Sequence, residues 1–342
     1  MKKIILLTTV LFCICSLNAQ DLNLKTRYTK IADSPSEGLL AVMNSNYKWG
    51  FVEVKTGTEV ATPKYDNVWS FGEGLAGVSL NDKFGFIDKS GNEVIPLIYN
   101  DTKHGFYHGI AAVNKGAIRD RIMGLHGGSW GFINKEGKEV IPIKFDQVDP
   151  FYDEFIGIRL GGYWGFIDKT GKETVKPIYT AIHNFSENYA TGRRKIKPEE
   201  KDSAAIKAGK YDQVEGWTFF DRNGKEIIKP QYNYAGYFKE GLLNVTMLPT
   251  QYQPEKHGFI DKTGKVVIEL IYDGSYDFGD GLAPVYSREE KKWGYINAKG
   301  KLVIPFKYSS AYSFKDGVAK VKLDNVDYIL YKSGKEIIAP AH

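Results

Sequence analysis

Cysteine is nearly absent from this 342-residue sequence, and the two present, Cys13 and Cys15, both lie in one apolar run near the start. Neither follows the small residue that lipoprotein processing requires, since Phe12 and Ile14 stand there. Lys2 and Lys3, the run Ile4 to Leu17 and Asn18-Ala19-Gln20 have the charged, apolar, small-residue order of a secretory leader, with cleavage expected after Ala19. The mature chain then has no cysteine, which excludes disulfides, thiolate catalysis and cysteine metal sites. No other apolar stretch approaches the roughly 20 residues that span a bilayer, so no membrane span is expected. A strong charge of either sign is also missing. The formal +5 falls to +3 when Lys2 and Lys3 leave with the leader, too mild to argue for nucleic acid. The histidines at 104, 108, 126, 183, 257 and 342 have no metal-ligand spacing, and no phosphate loop or nucleophile elbow occurs. No cofactor or metal is expected.

What is present is a repeat. One strand recurs as Trp49-Gly50-Phe51, Phe84-Gly85-Phe86-Ile87-Asp88, Trp130-Gly131-Phe132-Ile133-Asn134 and Trp164-Gly165-Phe166-Ile167-Asp168. It continues as Trp217-Thr218-Phe219, His257-Gly258-Phe259-Ile260-Asp261, Trp293-Gly294-Tyr295-Ile296-Asn297 and a degenerate Asp327-Tyr328-Ile329-Leu330. A turn follows each core, as in Asp168-Lys169-Thr170-Gly171, where Asp caps the turn with its side chain and Gly takes the exit angle. A second strand comes next (Glu139-Val140-Ile141-Pro142, Leu302-Val303-Ile304-Pro305), then an aromatic beside a polar residue (Phe145-Asp146, Tyr272-Asp273) and a further phenylalanine such as Phe151, Phe278 or Phe314. The next unit opens on a third strand, Glu73-Gly74-Leu75-Ala76-Gly77-Val78 or Asp280-Gly281-Leu282-Ala283-Pro284-Val285. No segment sustains a helical period, so the fold class is all-β, built from about eight three-stranded antiparallel meander units in tandem.

The period of two puts Trp164 and Phe166 on one face of their strand and Gly165 and Ile167 on the other. A glycine there lets a neighbouring strand or ring come close, because it has no Cβ. The tryptophans recur in nearly every unit and so read as packing positions between neighbours. The alternative is an aromatic platform for sugars. The recurring Asp88, Asp168 and Asp261 read as turn caps rather than as a glycosidase pair, which would draw on two unique acids.

These residues, the Lys-Trp-Gly-Phe-Ile-Asp core, the Gly-Lys-Glu-Val-Ile-Pro strand and the Glu-Gly-Leu-Ala-x-Val opener, resemble the WG (KWG) repeat family of bacterial proteins. The resemblance covers 37–342 and implies tandem β units in envelope or secreted proteins. It carries over no catalytic residue. Units five, six and eight depart from the motif at Thr218, His257 and Tyr328-Ile329.

With the motif glycine or its equivalent as marker, at 50, 85, 131, 165, 218, 258, 294 and 329, the gaps are 35, 46, 34, 53, 40, 36 and 35. The extra residues fall between opener and WG strand, at 114–128, 193–215 and 246–255. In a repeat stack such insertions are expected to emerge on one face, where recognition usually resides. Pro198 to Gly209 reads equally as a short helix and as a solvated loop. Arg119, Arg121, Arg193 and Arg194 are the candidate partner-binding residues, suited to bidentate contact with anions, with solvated loops as the plainer reading.

The expected organisation is a leader at 1–19, a lead-in at 20–36 and a repeat domain at 37–342. The domain is expected as a solenoid-like array, with a closed β-propeller as the alternative. The function expected is that of a non-enzymatic, monomeric scaffold, periplasmic, outer-surface or secreted, that binds a protein in the cell envelope or outside the cell. Glycan or cell-wall polymer binding through exposed aromatics is the alternative, and an enzyme with its site in the insertions is the third reading.

Overall fold

A computed structural model describes residues 23–120, 124–152, 154–200, 215–247 and 255–340. The expected leader, Arg121 and residues 201–214 and 248–254 of the longer insertions lie outside them. The protein is an all-β tandem repeat, whose described residues form eight small antiparallel sheets that follow one another along the chain. The chain divides into two compact bodies, 1–143 and 144–342. No helix of the described residues is long and apolar enough to cross a membrane.

Seven sheets have four strands, one more than expected. Unit seven shows the plan: Gly274–Ser275, Leu282–Ser287, Lys292–Asn297 and Leu302–Tyr308, paired in that order. The added first strand comes from the segment after the aromatic-polar pair. In five units it is only two residues long, too short to leave a periodic signal. The turns are capped as expected: Asp168 Oδ1 accepts the backbone N–H groups of Thr170 and Lys172, and Asp261 repeats this with Thr263 and Lys265.

Consecutive units join through one repeated contact. The aromatic that follows the motif glycine, or Thr218 in unit five, meets, nearly edge-on, a phenylalanine in or just after the next unit's first strand. Phe51 meets Phe71, Phe86 meets Phe106, Phe166 meets Phe185, Phe219 meets Phe238, Phe259 meets Phe278 and Tyr295 meets Phe314, with centroids 4.9–5.1 Å apart. Each such pair adds about 0.5–1.5 kcal/mol to the burial itself. The opener acid forms a second clasp. The carboxylates of Glu37, Glu73, Glu187, Glu240 and Asp280 accept the N–H of Gly74, Gly109, Gly241, Gly281 and Gly317 in the following unit. The opener sequence therefore serves the joint as well as the strand. In unit one, the face that a preceding unit would cover is filled by Leu24 and Tyr28, from and beside the short helix Leu24–Arg27, packed on Val42 and Val52.

The motif glycine governs the outer strand. A Cβ on Gly165 would sit 2.7 Å from Pro177 N and 2.8 Å from the Lys176 carbonyl carbon, so only glycine admits this strand. The same close approach recurs at Gly50, Gly85, Gly131, Gly258 and Gly294. The outer strand carries a bulge there: Phe166 pairs with Val175 and Trp164 with Tyr179, two residues against four. In unit eight the register places Tyr328, rather than Ile329, in the glycine's position, because Val321 pairs with Tyr328 as Val285 pairs with Gly294. Its outer strand Glu336–Ile338 is short and runs without a shift. Unit five, with Thr218, has no fourth strand. His257 in unit six replaces the tryptophan and leaves the four-stranded sheet intact.

Candidate functional site

The described residues of the first insertion, 114–120 and 124–128, are two paired strands. Strands Ile110–Asp120 and Gly124–Asn134 stay paired from Ile110↔Asn134 to Asp120↔Gly124, whereas the first strand of that sheet stops at Asn114↔Asp101. Residues 115–120 therefore extend past the first strand as part of a ribbon. Asn114 locks its base: the side chain donates to Gly127 O (3.3 Å) and accepts from Ala117 N–H (3.2 Å). Ile118 is 63% exposed on the ribbon. Beside it Arg119 pairs with Asp82 (2.9 Å), and His126 Nδ1 lies 3.2 Å from Asp120.

In the second insertion the neighbouring arginines differ. Arg193 is half-exposed and pairs with Glu215 (3.3 Å). Arg194 is only 5% exposed, because the alternation of strand Tyr189–Lys195 turns it inward. Its Nε and Nη2 donate to Glu226 (2.6 and 2.5 Å), and Nη1 and Nη2 donate to Glu200 (2.8 and 2.6 Å). These charged hydrogen bonds to Glu226 and Glu200 hold its guanidinium protonated and push Glu200 down to about 2, chiefly through the Arg194 contact. Tyr179 Oη also donates to Glu226 (2.9 Å). Arg194 thus ties the chain to itself and presents nothing to an anion. Of the helix weighed at 198–209, the described part is the single 3-10 turn Pro198–Glu200, whose Glu200 closes this cluster.

The tryptophans split. Trp130 and Trp217 are buried, while Trp49, Trp164 and Trp293 are half-buried. Tyr47 and Tyr107 in the first body and Tyr163 and Tyr331 in the second are exposed, and in the second body four further exposed tyrosines lie on or just after first strands: Tyr234 and Tyr237 in unit six, Tyr276 in unit seven and Tyr312 in unit eight. Tyr276 lies parallel to Trp293 (5.2 Å, 9°) and to Tyr312 (6.3 Å, 12°). His183 stacks on both Trp217 (4.6 Å, 22°) and Tyr237 (4.9 Å, 26°), with Tyr234 edge-on (6.0 Å). Burial pushes the His183 imidazole below its ordinary value, and Nδ1 lies 3.0 Å from Thr191 Oγ1. A cavity of about 850 Å³ opens beside Tyr312, lined also by Lys320, Asp327, Tyr328, Ile338 and Pro340. Sequence reasoning missed these tyrosines. The available signal was a tyrosine two residues before the joint phenylalanine, in Tyr276-Asp277-Phe278 and Tyr312-Ser313-Phe314. Among the described residues no group of three His, Cys, Asp or Glu is placed to hold a metal ion.

A family model described as WG containing repeat matches the chain at 49–84, 84–117, 130–164, 164–191, 217–247, 258–287 and 293–326. The comparison with curated proteins returns no match. Similar solved structures include a eukaryotic initiation factor, at 12% identity over 89% of this chain and 85% of that one with a TM-score of 0.44. They also include the β-propeller domain of the Trilobed protease from Pyrococcus furiosus, at 10% identity over 92% and 99% with a TM-score of 0.36. Likenesses at these scores assign neither shape nor activity.

Proposed function

The chain belongs to the WG-containing repeat family, and on that premise we propose that it is a non-catalytic, exported scaffold that binds a protein partner in the cell envelope or outside the cell through the ribbon at 115–128. Export is supported by the leader pattern Met1 to Ala19. The observation that carries the binding reading is the ribbon itself. Residues 115–120 run past their first strand, which leaves that edge of the ribbon without the pairing that Asp101 to Lys103 give residues 112–114, and they expose Ile118. A strand edge with an apolar side chain suits pairing with another chain.

The test replaces 115–128 by a two-residue Asn-Gly turn in the full-length protein. The variant should keep its circular dichroism spectrum and melting temperature while losing the envelope protein that the wild type captures by affinity. Retention of that protein with unchanged affinity would overturn the ribbon reading. N-terminal sequencing of exported material should begin at Gln20; a chain that keeps Lys2 and Lys3 in the cytoplasm would overturn export.

A second reading, binding of glycan, is favoured by the tyrosine band of the second body.

A further inference from the structure

We propose that this band, Tyr237, Tyr234, Tyr276 and Tyr312 with the rings behind them, is a binding track for an extended, uncharged, hydroxyl-rich polysaccharide. It is separate from the ribbon and does not depend on the protein-partner reading.

The rings are placed by the repeat. Tyr276 and Tyr312 occupy one register position, their N–H groups donating to Pro284 O and Lys320 O in the adjacent strand. Successive units thus deliver aromatic side chains to the same edge, and they remain 47% and 57% exposed. Tyr234 and Tyr237 in the preceding unit are 42% and 37% exposed. The rings are also held. Trp293 backs Tyr276, and the stack of Trp217, His183 and Tyr237 fixes the other end. Tyrosine supplies rigid, amphipathic contact area at low entropy cost. Parallel, pre-oriented rings suit the flat C–H faces of successive pyranose rings, which a chain of repeating sugars presents at regular intervals.

A second, independent observation points to hydroxyl groups. At the register position of Tyr276 and Tyr312, unit six has Gly236, which leaves a notch between the two stacks. The carboxylate of Asp277 lies there, with Oδ1 3.1 Å from where a Gly236 Cβ would be. Burial raises the Asp277 carboxyl above its ordinary value. Lys239 attracts that carboxylate only at a distance. The half-buried Asp277 carboxylate is an acceptor still open to a donor, and vicinal sugar hydroxyls are donors of the right kind. A proline-rich peptide would offer rings but few donors, and an acidic polymer would meet Asp277 as a like charge.

The test titrates full-length protein with cellohexaose, chitohexaose and a mixed-linkage β-glucan hexamer, following the fluorescence of Trp217 and Trp293. A proline-rich decamer and oligogalacturonate serve as the other arms. At least one uncharged hexamer should bind, with affinity falling at least tenfold in Tyr276→Ala/Tyr312→Ala. Asp277→Asn, which keeps the shape, should also weaken binding with no loss of melting temperature. The ribbon replacement should bind the hexamer as the wild type does. The proposal falls if no uncharged hexamer binds, if both band variants bind it unchanged, or if the decamer or oligogalacturonate binds in its place.

Discussion

Units four and five carry nearly the same outer segment, Gly171-Lys172-Glu173-Thr174-Val175-Lys176-Pro177-Ile178-Tyr179 and Gly224-Lys225-Glu226-Ile227-Ile228-Lys229-Pro230-Gln231-Tyr232, and only the first becomes a strand. The end pairs survive in both. Ile167↔Glu173 and Trp164↔Tyr179 in unit four correspond to the isolated bridges Phe220↔Glu226 and Trp217↔Tyr232 in unit five. What unit five lacks is the middle pair, Phe166↔Val175 in unit four. The neighbouring strand there has Thr218 in place of Gly165. In unit four the Val175 carbonyl oxygen fills the space a Cβ would need. In unit five the equivalent Ile228 oxygen moves off and accepts the Thr218 hydroxyl at 2.5 Å. Ile227 N–H still donates to Phe219 O, and Glu226 of the segment is held by Arg194. A segment's own sequence therefore does not decide whether it forms a strand; one Cβ on the adjacent strand does.

The comparison breaks most sharply at the cluster of Arg194, Glu226 and Glu200. Arg194→Ala leaves Glu226 and Glu200 partly buried without their cation, and should cost about 3–5 kcal/mol in urea melts. The same change at half-exposed Arg193 should cost under about 1 kcal/mol. Equal losses would show that the cluster does not hold unit five together. Acid should act on the same place. Glu200 is depressed from 4.5 to about 2 in the folded chain, so its contribution is present above pH 4.5 and is lost as pH falls toward 2. Amide exchange near Arg194 should rise in that window before exchange in unit four does. Simultaneous loosening of both units would contradict it.

The glycine is the next point. Gly165→Thr gives unit four the residue of unit five, without the cluster, and should cost about 1–3 kcal/mol as overpacking does. The protection of amides 174–176 should fall together with it. Urea melts that overlay the wild type would show that the glycine has no packing role.

Much of this was legible in sequence and some was not, for physical reasons. The turn caps and the all-β class follow from residues whose spacing survives in units two to seven, such as Asp168 and Gly171, whereas the degenerate strand of unit eight gave a register off by one residue. First strands such as Asn67–Val68 are too short to carry a period. The paired strands at 114–120 and 124–128 read as a loop because their glycines mask the pairing that the Asn114 side chain secures. Arg194 read as solvated because Arg193-Arg194-Lys195 is a charge run, although strand alternation already assigns its middle residue to the opposite face. The departure at Thr218 was visible, but its effect falls on a neighbouring segment of ordinary appearance. The tyrosine band was hidden because its members come from segments taken as connections.

The reverse substitution is the smallest and most discriminating change. Thr218→Gly removes the hydroxyl's hydrogen bond to Ile228 O, about 1 kcal/mol net, and frees the strand backbone. It also opens the space that Val175 O occupies in unit four, and the flanking bridges already hold the segment in register. The two effects oppose, so stability should change by about 1 kcal/mol or less. The informative readout is local: exchange at amides 228 and 229 should slow toward the rate of 175 and 176. If those amides exchange as fast as before, the cluster rather than the Cβ keeps the segment out. Adding Arg194→Met to Thr218→Gly separates the causes, because the double variant lacks both restraints while Thr218→Gly keeps the cluster. Slow exchange in the double variant alone would assign the first restraint to Arg194 and leave the glycine necessary but not sufficient.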